Sequence, residues 1–285
     1  LKPLAKDLWL PRRRPPREGL QPMSDIVGTL RALLGTDNAS RNAAEQCFQD
    51  AKKQTPAATI AALFQAVAEQ QLEEPVREQA AVLLRQCLSK VRDEGSPWSS
   101  LGEAGHADCK AKVLQLLEAE PTAKVRSKVA DIIQSLGNQL IDLEENARPQ
   151  NAEAWPELMP TLMRIVMDSA KADGLRADAL WTVKELLTSI WPIFVANSNN
   201  TATVLKASFA SPADAIKAAA GQLLCELVDN LEKKDSAAFA PLIEDLCNAL
   251  KHLASGAETK HCNNLLQSLQ GSSNSANFFK DSMAA

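Results

Sequence analysis

A chain of 285 residues, 45% hydrophobic and 23% charged, is long enough to bury a core and too apolar to be chiefly disordered. With only 11 Gly, no Tyr and an apolar set dominated by Ala, Leu, Val and Ile, it suits stacked helices better than a sheet built on β-branched and aromatic pairs. The net charge of −4 divides into +4 over residues 1–22 and −8 over the remainder; that acidic body argues against direct nucleic-acid binding and suits basic protein partners.

Residues 1–22 carry Pro3, Pro11, Pro15, Pro16 and Pro22 around Arg12, Arg13 and Arg14, so no continuous helix is predicted there. The arginine cluster could serve as a localisation signal or a nucleic-acid arm, but it is short and set among prolines, and it is read as part of a disordered leader. Met23 is followed by Ser24, a good N-cap, and then by Ile26, Val27, Leu30, Leu33 and Leu34 at helical spacing, which is consistent with a native start at Met23. No apolar run approaches the roughly 20 residues of a membrane span, and no signal peptide is apparent, so a soluble intracellular protein is expected.

From Met23 the chain divides into predicted helix pairs marked by a recurring cue: a basic residue early in each second helix, three residues before a small or apolar one. Arg41, Arg77, Arg126, Arg176, Lys217 and, more weakly, Lys260 are separated by 36, 49, 50, 41 and 43 residues. Such spacing is typical of HEAT-like arrays, whose repeats run to roughly 40–47 residues. The predicted fold is all-α: a HEAT/armadillo-like right-handed superhelical solenoid of about six antiparallel pairs over residues 23–272, with a tail at 273–285 where the array is expected to be truncated.

The second pair opens with Thr55 and Pro56 as cap and first-turn proline, and Ile60, Leu63, Phe64 and Val67 form its stripe. Its partner helix starts near Pro75 and buries Val76, Ala80, Leu83, Leu84, Cys87, Leu88 and Val91. Glu78, Arg85, Ser89 and Arg92 lie opposite. The loop after it holds Trp98, either packed beneath the loop or exposed as a contact. The third pair spans about 104–142, with Ile132 and Ile133 in the core. The fourth begins at Trp155, and Pro160 is placed deep enough to kink its first helix. Trp181 and Trp191 fall on apolar helical positions and are read as core, as is Leu186; Pro241 echoes Pro160 in the sixth pair.

The six cysteines (Cys47, Cys87, Cys109, Cys225, Cys247, Cys262) are widely spaced and read as reduced core thiols. His106 with Cys109, and His252 with His261 and Cys262, could be imagined around zinc, but the spacing matches no paired-ligand pattern. There is no Gly-rich phosphate loop, no Cys-x-x-Cys and no His-Glu-x-x-His. Neither an enzyme nor a cofactor or metal is expected.

Arg41-Asn42-Ala43-Ala44-Glu45 and the run from Ala80 to Leu88 resemble the opening repeats of importin-β-type nuclear transport receptors, the β-karyopherins. Ala154-Trp155-Pro156-Glu157-Leu158 and Leu175-Arg176-Ala177-Asp178-Ala179-Leu180, ending at Ile193-Phe194, are most similar to the importin beta-3 branch. The resemblance covers roughly residues 24–230, with the family's N-terminal region at about 24–142. Such receptors have about twenty repeats, so it implies that this chain is an N-terminal fragment.

It further implies a protein that shuttles between cytoplasm and nucleus and binds Ran-GTP, cargo proteins with basic signals, and phenylalanine-glycine nucleoporins. Ran would meet the second helices of the first repeats. There the helix phase sets Gln49, Lys53, Arg85, Ser89, Lys128 and Asp131 opposite the apolar stripes; each of these residues could equally be no more than solvated. The competing reading is a HEAT scaffold outside transport, similar to a phosphatase scaffold or a tubulin-binding array.

Overall fold

A helix with one apolar stripe cannot hide it alone, and this chain solves the problem by pairing consecutive helices and stacking the pairs. The computed structural model describes residues 25–91, 93–141, 155–230, 237–256 and 259–271. These hold twelve α-helices and no strand: α1 (Ile26–Leu34), α2 (Asn38–Gln54), α3 (Pro56–Ala68), α4 (Glu74–Leu88), α5 (Gly102–Ala119), α6 (Ala123–Leu140), α7 (Leu158–Met167), α8 (Asp173–Ala196), α9 (Ser198–Phe209), α10 (Asp214–Asn230), α11 (Leu242–Ser255) and α12 (Thr259–Gly271). A short 3-10 turn, Ala237–Phe239, precedes α11. The expected leader (1–22) and tail (273–285) lie outside the described residues.

The predicted six pairs are present: α1 with α2, then α3/α4, α5/α6, α7/α8, α9/α10 and α11/α12. The second helices α4, α6, α8, α10 and α12 pack on one another in order, as do the first helices α3, α5, α7, α9 and α11. The first pair departs from this scheme. There α1 lies against α4 as well as α2, and α2 is held by α1 and α3 instead of joining the row of second helices.

The recurring basic residue now has a structural role. The last carbonyls of a helix lack intrahelical donors, and these side chains supply them. Arg77 Nε donates to the Val67 carbonyl at the end of α3 (2.9 Å), and Arg126 Nη1 to that of Glu120 after α5 (3.1 Å). Arg176 Nε reaches Val166 O at the end of α7 (2.9 Å), and Lys217 Nζ reaches Ser211 O after α9 (2.5 Å). Two of the cations also bridge forward: Arg77 pairs with Glu120 in the next repeat, and Arg126 with Asp178 in the one after that (2.5 Å). Arg77, Glu120 and Arg126 are all buried, so each charge depends on its partner. Arg41 instead bonds Asn38 in its own turn (2.7 Å), and Lys260 is exposed.

Leu84, Ile132, Ile133 and Leu186 are fully buried and Leu83 nearly so, as predicted. Trp98 packs beneath its loop, stacked on His106 with ring centroids 4.3 Å apart, and His106 Nε2 lies 2.8 Å from the Trp98 carbonyl oxygen. Trp181 is partly buried against the core, while the Trp191 side chain lies outside the described residues. Cys87, Cys109, Cys225 and Cys262 are buried and Cys247 half-buried. Burial pushes the Cys87 and Cys225 thiols to about 12 and Cys109 to about 11, so these three stay protonated and inert. Cys47 breaks the expectation of core thiols: it is exposed on α2.

Three local expectations are corrected. The N-cap of α1 is Asp25, whose carboxylate accepts from Gly28 N (2.6 Å); Ser24 lies outside the described residues. Thr55 does not cap α3 with its side chain: its hydroxyl accepts no N–H from the first turn and instead donates back to Ala51 O (3.3 Å). Pro160 has no reason to kink α7. The helix begins at Leu158, which puts the proline in the first turn, where the missing N–H has no intrahelical partner to lose.

Candidate partner-binding face

Stacked second helices each leave one row of side chains facing solvent, at i, i+3 and i+4 spacing. On α4 the row includes Arg85 and Ser89, and on α6 it includes Lys128, Asp131 and Asn138. The rows interlock. Asp131 lies 3.6 Å from Arg85 Nη1 and 3.4 Å from Lys128 Nζ, so one carboxylate from α6 sits between two cations from adjacent repeats. At the start of the same helices Lys124 Nζ donates to Glu74 Oε1 (2.8 Å), and this bond, with the Glu74 charge, raises the lysine's pKa. Toward their ends Gln139 Oε1 accepts from Val91 N (3.0 Å), and Ser189 Oγ on α8 donates to Asn138 Oδ1 (2.7 Å). The result is a half-exposed polar strip with two cations sharing one carboxylate at its centre, an arrangement suited to electrostatic recognition.

Of the residues singled out from sequence, the fold therefore brings Arg85, Lys128 and Asp131 into contact, with Ser89 one turn further along α4. Gln49 and Lys53 are exposed on α2, and Gln49 lines a crevice between α2 and α4. The strip is interrupted there because α1 lies where a stacked α2 would touch α4. The Lys124–Glu74 pair was missed, as such bonds depend on which helix becomes the neighbour.

The first-helix layer has its own cavity, about 410 Å³, between α7 and α9. Its walls are mostly apolar, from Trp155, Met159, Met163, Phe194 and Val204, with Asn200 at the polar side. Trp155 is buried, and its indole Nε1 has no hydrogen-bond partner among the described residues. Nearby, Glu118 on α5 accepts from Arg164 on α7 (3.0 and 2.7 Å) and pairs with Lys171 (2.7 Å), which together hold its carboxyl at about 2.

Among the described residues no group of three or more His, Cys, Asp or Glu side chains is arranged to hold a metal ion. No helix among them is long and apolar enough to cross a membrane.

No family model matches the chain. Solved structures do. The crystal structure of Kap121p is similar to it with a TM-score of 0.69 and 19% identity, over 90% of this chain and 23% of that one. Kap121p bound to RanGTP matches with a TM-score of 0.68 and 18% identity, over 90% of this chain and 22% of that one. Kap121p bound to Nup53p matches with a TM-score of 0.69 and 18% identity, over 90% and 23% respectively. The chain thus spans less than a quarter of these neighbours' length. At such identity the likeness establishes architecture, and the chain has the HEAT-repeat fold of the karyopherin Kap121p.

Proposed function

We propose that this chain is part of a nuclear import receptor that binds Ran-GTP, cargo proteins with basic signals and phenylalanine-glycine nucleoporins, and shuttles between cytoplasm and nucleus. The observation that carries the reading is the match over 90% of the chain to Kap121p, whose structures include complexes with RanGTP, Nup53p and Pho4p. On this reading Arg85, Ser89, Lys128 and Asp131 form the centre of the Ran face, with Gln49 and Lys53 at its edge. The apolar cavity between α7 and α9 has the size and lining for a phenylalanine ring of a nucleoporin. Such a protein performs no reaction; it releases one protein ligand on binding another through coupling of their binding free energies.

The test is titration calorimetry with Ran loaded with GTP or GDP. The GTP form should bind preferentially, and the double variant Arg85→Glu/Lys128→Glu should weaken it by more than about 1 kcal/mol, since two interfacial charges would face the wrong sign. Helicity should be unchanged, because both side chains are partly exposed. Equal affinity for both nucleotide states would favour the non-transport scaffold.

A further inference from the structure

We propose that Ser89 is a phosphorylation site for a serine kinase that selects basic sequences, and that its phosphate draws Arg85 away from Asp131 and reverses the charge of the polar strip. The modification itself stands on this chain alone; its effect on a partner rests on the reading of the strip as a Ran face. Ser89 is the C-cap of α4, where the helix gives way to the connection to α5, and the described residues from there to Leu101 form no α-helix. A kinase needs its target serine on a segment it can extend, and a serine at the head of a non-helical connection meets that need with little unwinding.

The flanks carry the recognition charge. Arg85 precedes Ser89 by four residues, Lys90 and Arg92 follow it, and no acidic side chain falls between Arg85 and Arg92. A kinase with an acidic substrate groove selects such a segment by charge complementarity. The other serines of the connection are engaged. Ser96 is buried and its hydroxyl accepts from Ser99 N (3.1 Å), while the Ser99 hydroxyl donates to the Ser96 carbonyl (2.9 Å) and that of Ser100 to the Pro97 carbonyl (2.7 Å). Ser89 is half-exposed, and its hydroxyl has no hydrogen-bond partner among the described residues. Ser127 also lies between basic residues, but inside α6 and beside the buried Arg126, so presenting it would unwind a packed helix.

What the phosphate does follows from the loose contacts beside it. Ser89 N donates to the Arg85 carbonyl (2.8 Å), so the last turn is helical and the two side chains stand one above the other, about 6 Å apart at Cβ. Arg85 lies 3.6 Å and Lys128 3.4 Å from Asp131 Oδ2, whereas Lys124 closes on Glu74 to 2.8 Å and Arg164 on Glu118 to 2.7 Å. A phosphate of about −1.5 to −2 charge offers Arg85 a bidentate partner stronger than that loosely held carboxylate. Arg85, Lys128 and Asp131 together carry +1, and the phosphate turns the group net negative. In the transfer itself the γ-phosphoryl group of ATP moves to Ser89 Oγ: the bond to the departing ADP breaks as the bond to Oγ forms, and the hydroxyl proton passes to the kinase's catalytic base. The negative end of the α4 dipole opposes a phosphate at this position, which makes Arg85 its counter-charge within the helix.

The full chain is incubated with magnesium, ATP and the catalytic domain of protein kinase C, whose substrates are basic on both sides of the serine, and the modified residue is located by tandem mass spectrometry. Ser89 should take most of the label, and Ser89→Ala should lower incorporation at least tenfold. In phosphorus-31 spectra the phosphoserine should titrate below the value of about 6 of an isolated one, since a neighbouring cation favours the dianion, and Arg85→Gln should return it toward that value. Lys90 and Arg92 keep this variant a substrate, and thermal melts matching wild type would show that its fold is intact. The proposal is overturned by no label, by label elsewhere, by label on the unfolded chain alone, or by a titration that ignores Arg85→Gln. The phosphorylated chain should also bind Ran-GTP at least tenfold more weakly than the unmodified one, and equal binding would overturn the effect on the strip. Nucleotide-independent or absent Ran binding in both forms would refute the transport reading alone, because labelling and titration are read without Ran.

Discussion

Glu120→Ala should be among the most damaging single substitutions in this chain, and the reason lies in what it leaves behind. The Glu120 carboxylate accepts from Arg77 Nη2, from Thr122 N (2.8 Å) and weakly from Gln70 Nε2 (3.4 Å). Both Arg77 and Glu120 side chains are almost fully buried. Removing the acid strands a guanidinium whose one remaining bond in this network is to the Val67 carbonyl. Breaking a buried pair in this way costs about 3–5 kcal/mol, most of it the penalty of an uncompensated charge.

The double variant Arg77→Met/Glu120→Leu separates this account from a simple packing loss. It removes both charges and so the penalty, leaving the Val67 carbonyl and the Thr122 N–H without partners, at about 1 kcal/mol each or 2 in total. The double variant should therefore be more stable than the single one. Urea unfolding followed by far-ultraviolet circular dichroism measures both, and hydrogen exchange should place the loss in α3 to α6, since repeat arrays lose structure locally. A cost for Glu120→Ala below about 1 kcal/mol, or a double variant less stable than the single, would refute the reasoning.

Leu84→Ala should cost about 2–5 kcal/mol in the same urea titration, because the side chain is fully buried in the row of second helices. His106→Ala should cost about 1 kcal/mol by removing the ring stacked on Trp98, and tryptophan emission should change as that side chain loses its cover. Glu118 tests acid sensitivity: its folded-state pKa of about 2 lies below the ordinary 4.5, so its contribution is present above that ordinary value and is lost as pH falls toward 2. Glu118→Gln should therefore be less stable than wild type by under about 1 kcal/mol at neutral pH, the cations being partly exposed, and the two proteins should converge near pH 2 in urea titrations at stepped pH.

Helical class, pair count and core were legible in the sequence because they follow from local periodicity: Leu83, Leu84, Ile132, Ile133 and Leu186 each belong to a stripe that only a helix can align. The basic residue heading each second helix was visible as a repeat, though its purpose was not. Arg77 finds Val67 and Glu120 only after two turns of chain and a neighbouring repeat have been folded onto it, and spacing carries no information about such partners. The candidate site divides along the same line. That Arg85, Lys128 and Asp131 face solvent follows from helix phase, whereas their shared contact follows from the stacking of α4 on α6. Nothing in the phase of α2 showed that it would leave the stack, because what separates Gln49 from Arg85 is the seat α1 takes on α4, a competition between two helices for one apolar face. The sequence by itself determined which side of each helix is buried, through short-range spacing; which buried and exposed groups meet was decided by packing between repeats about 40–50 residues apart, where only the tertiary structure sets distance.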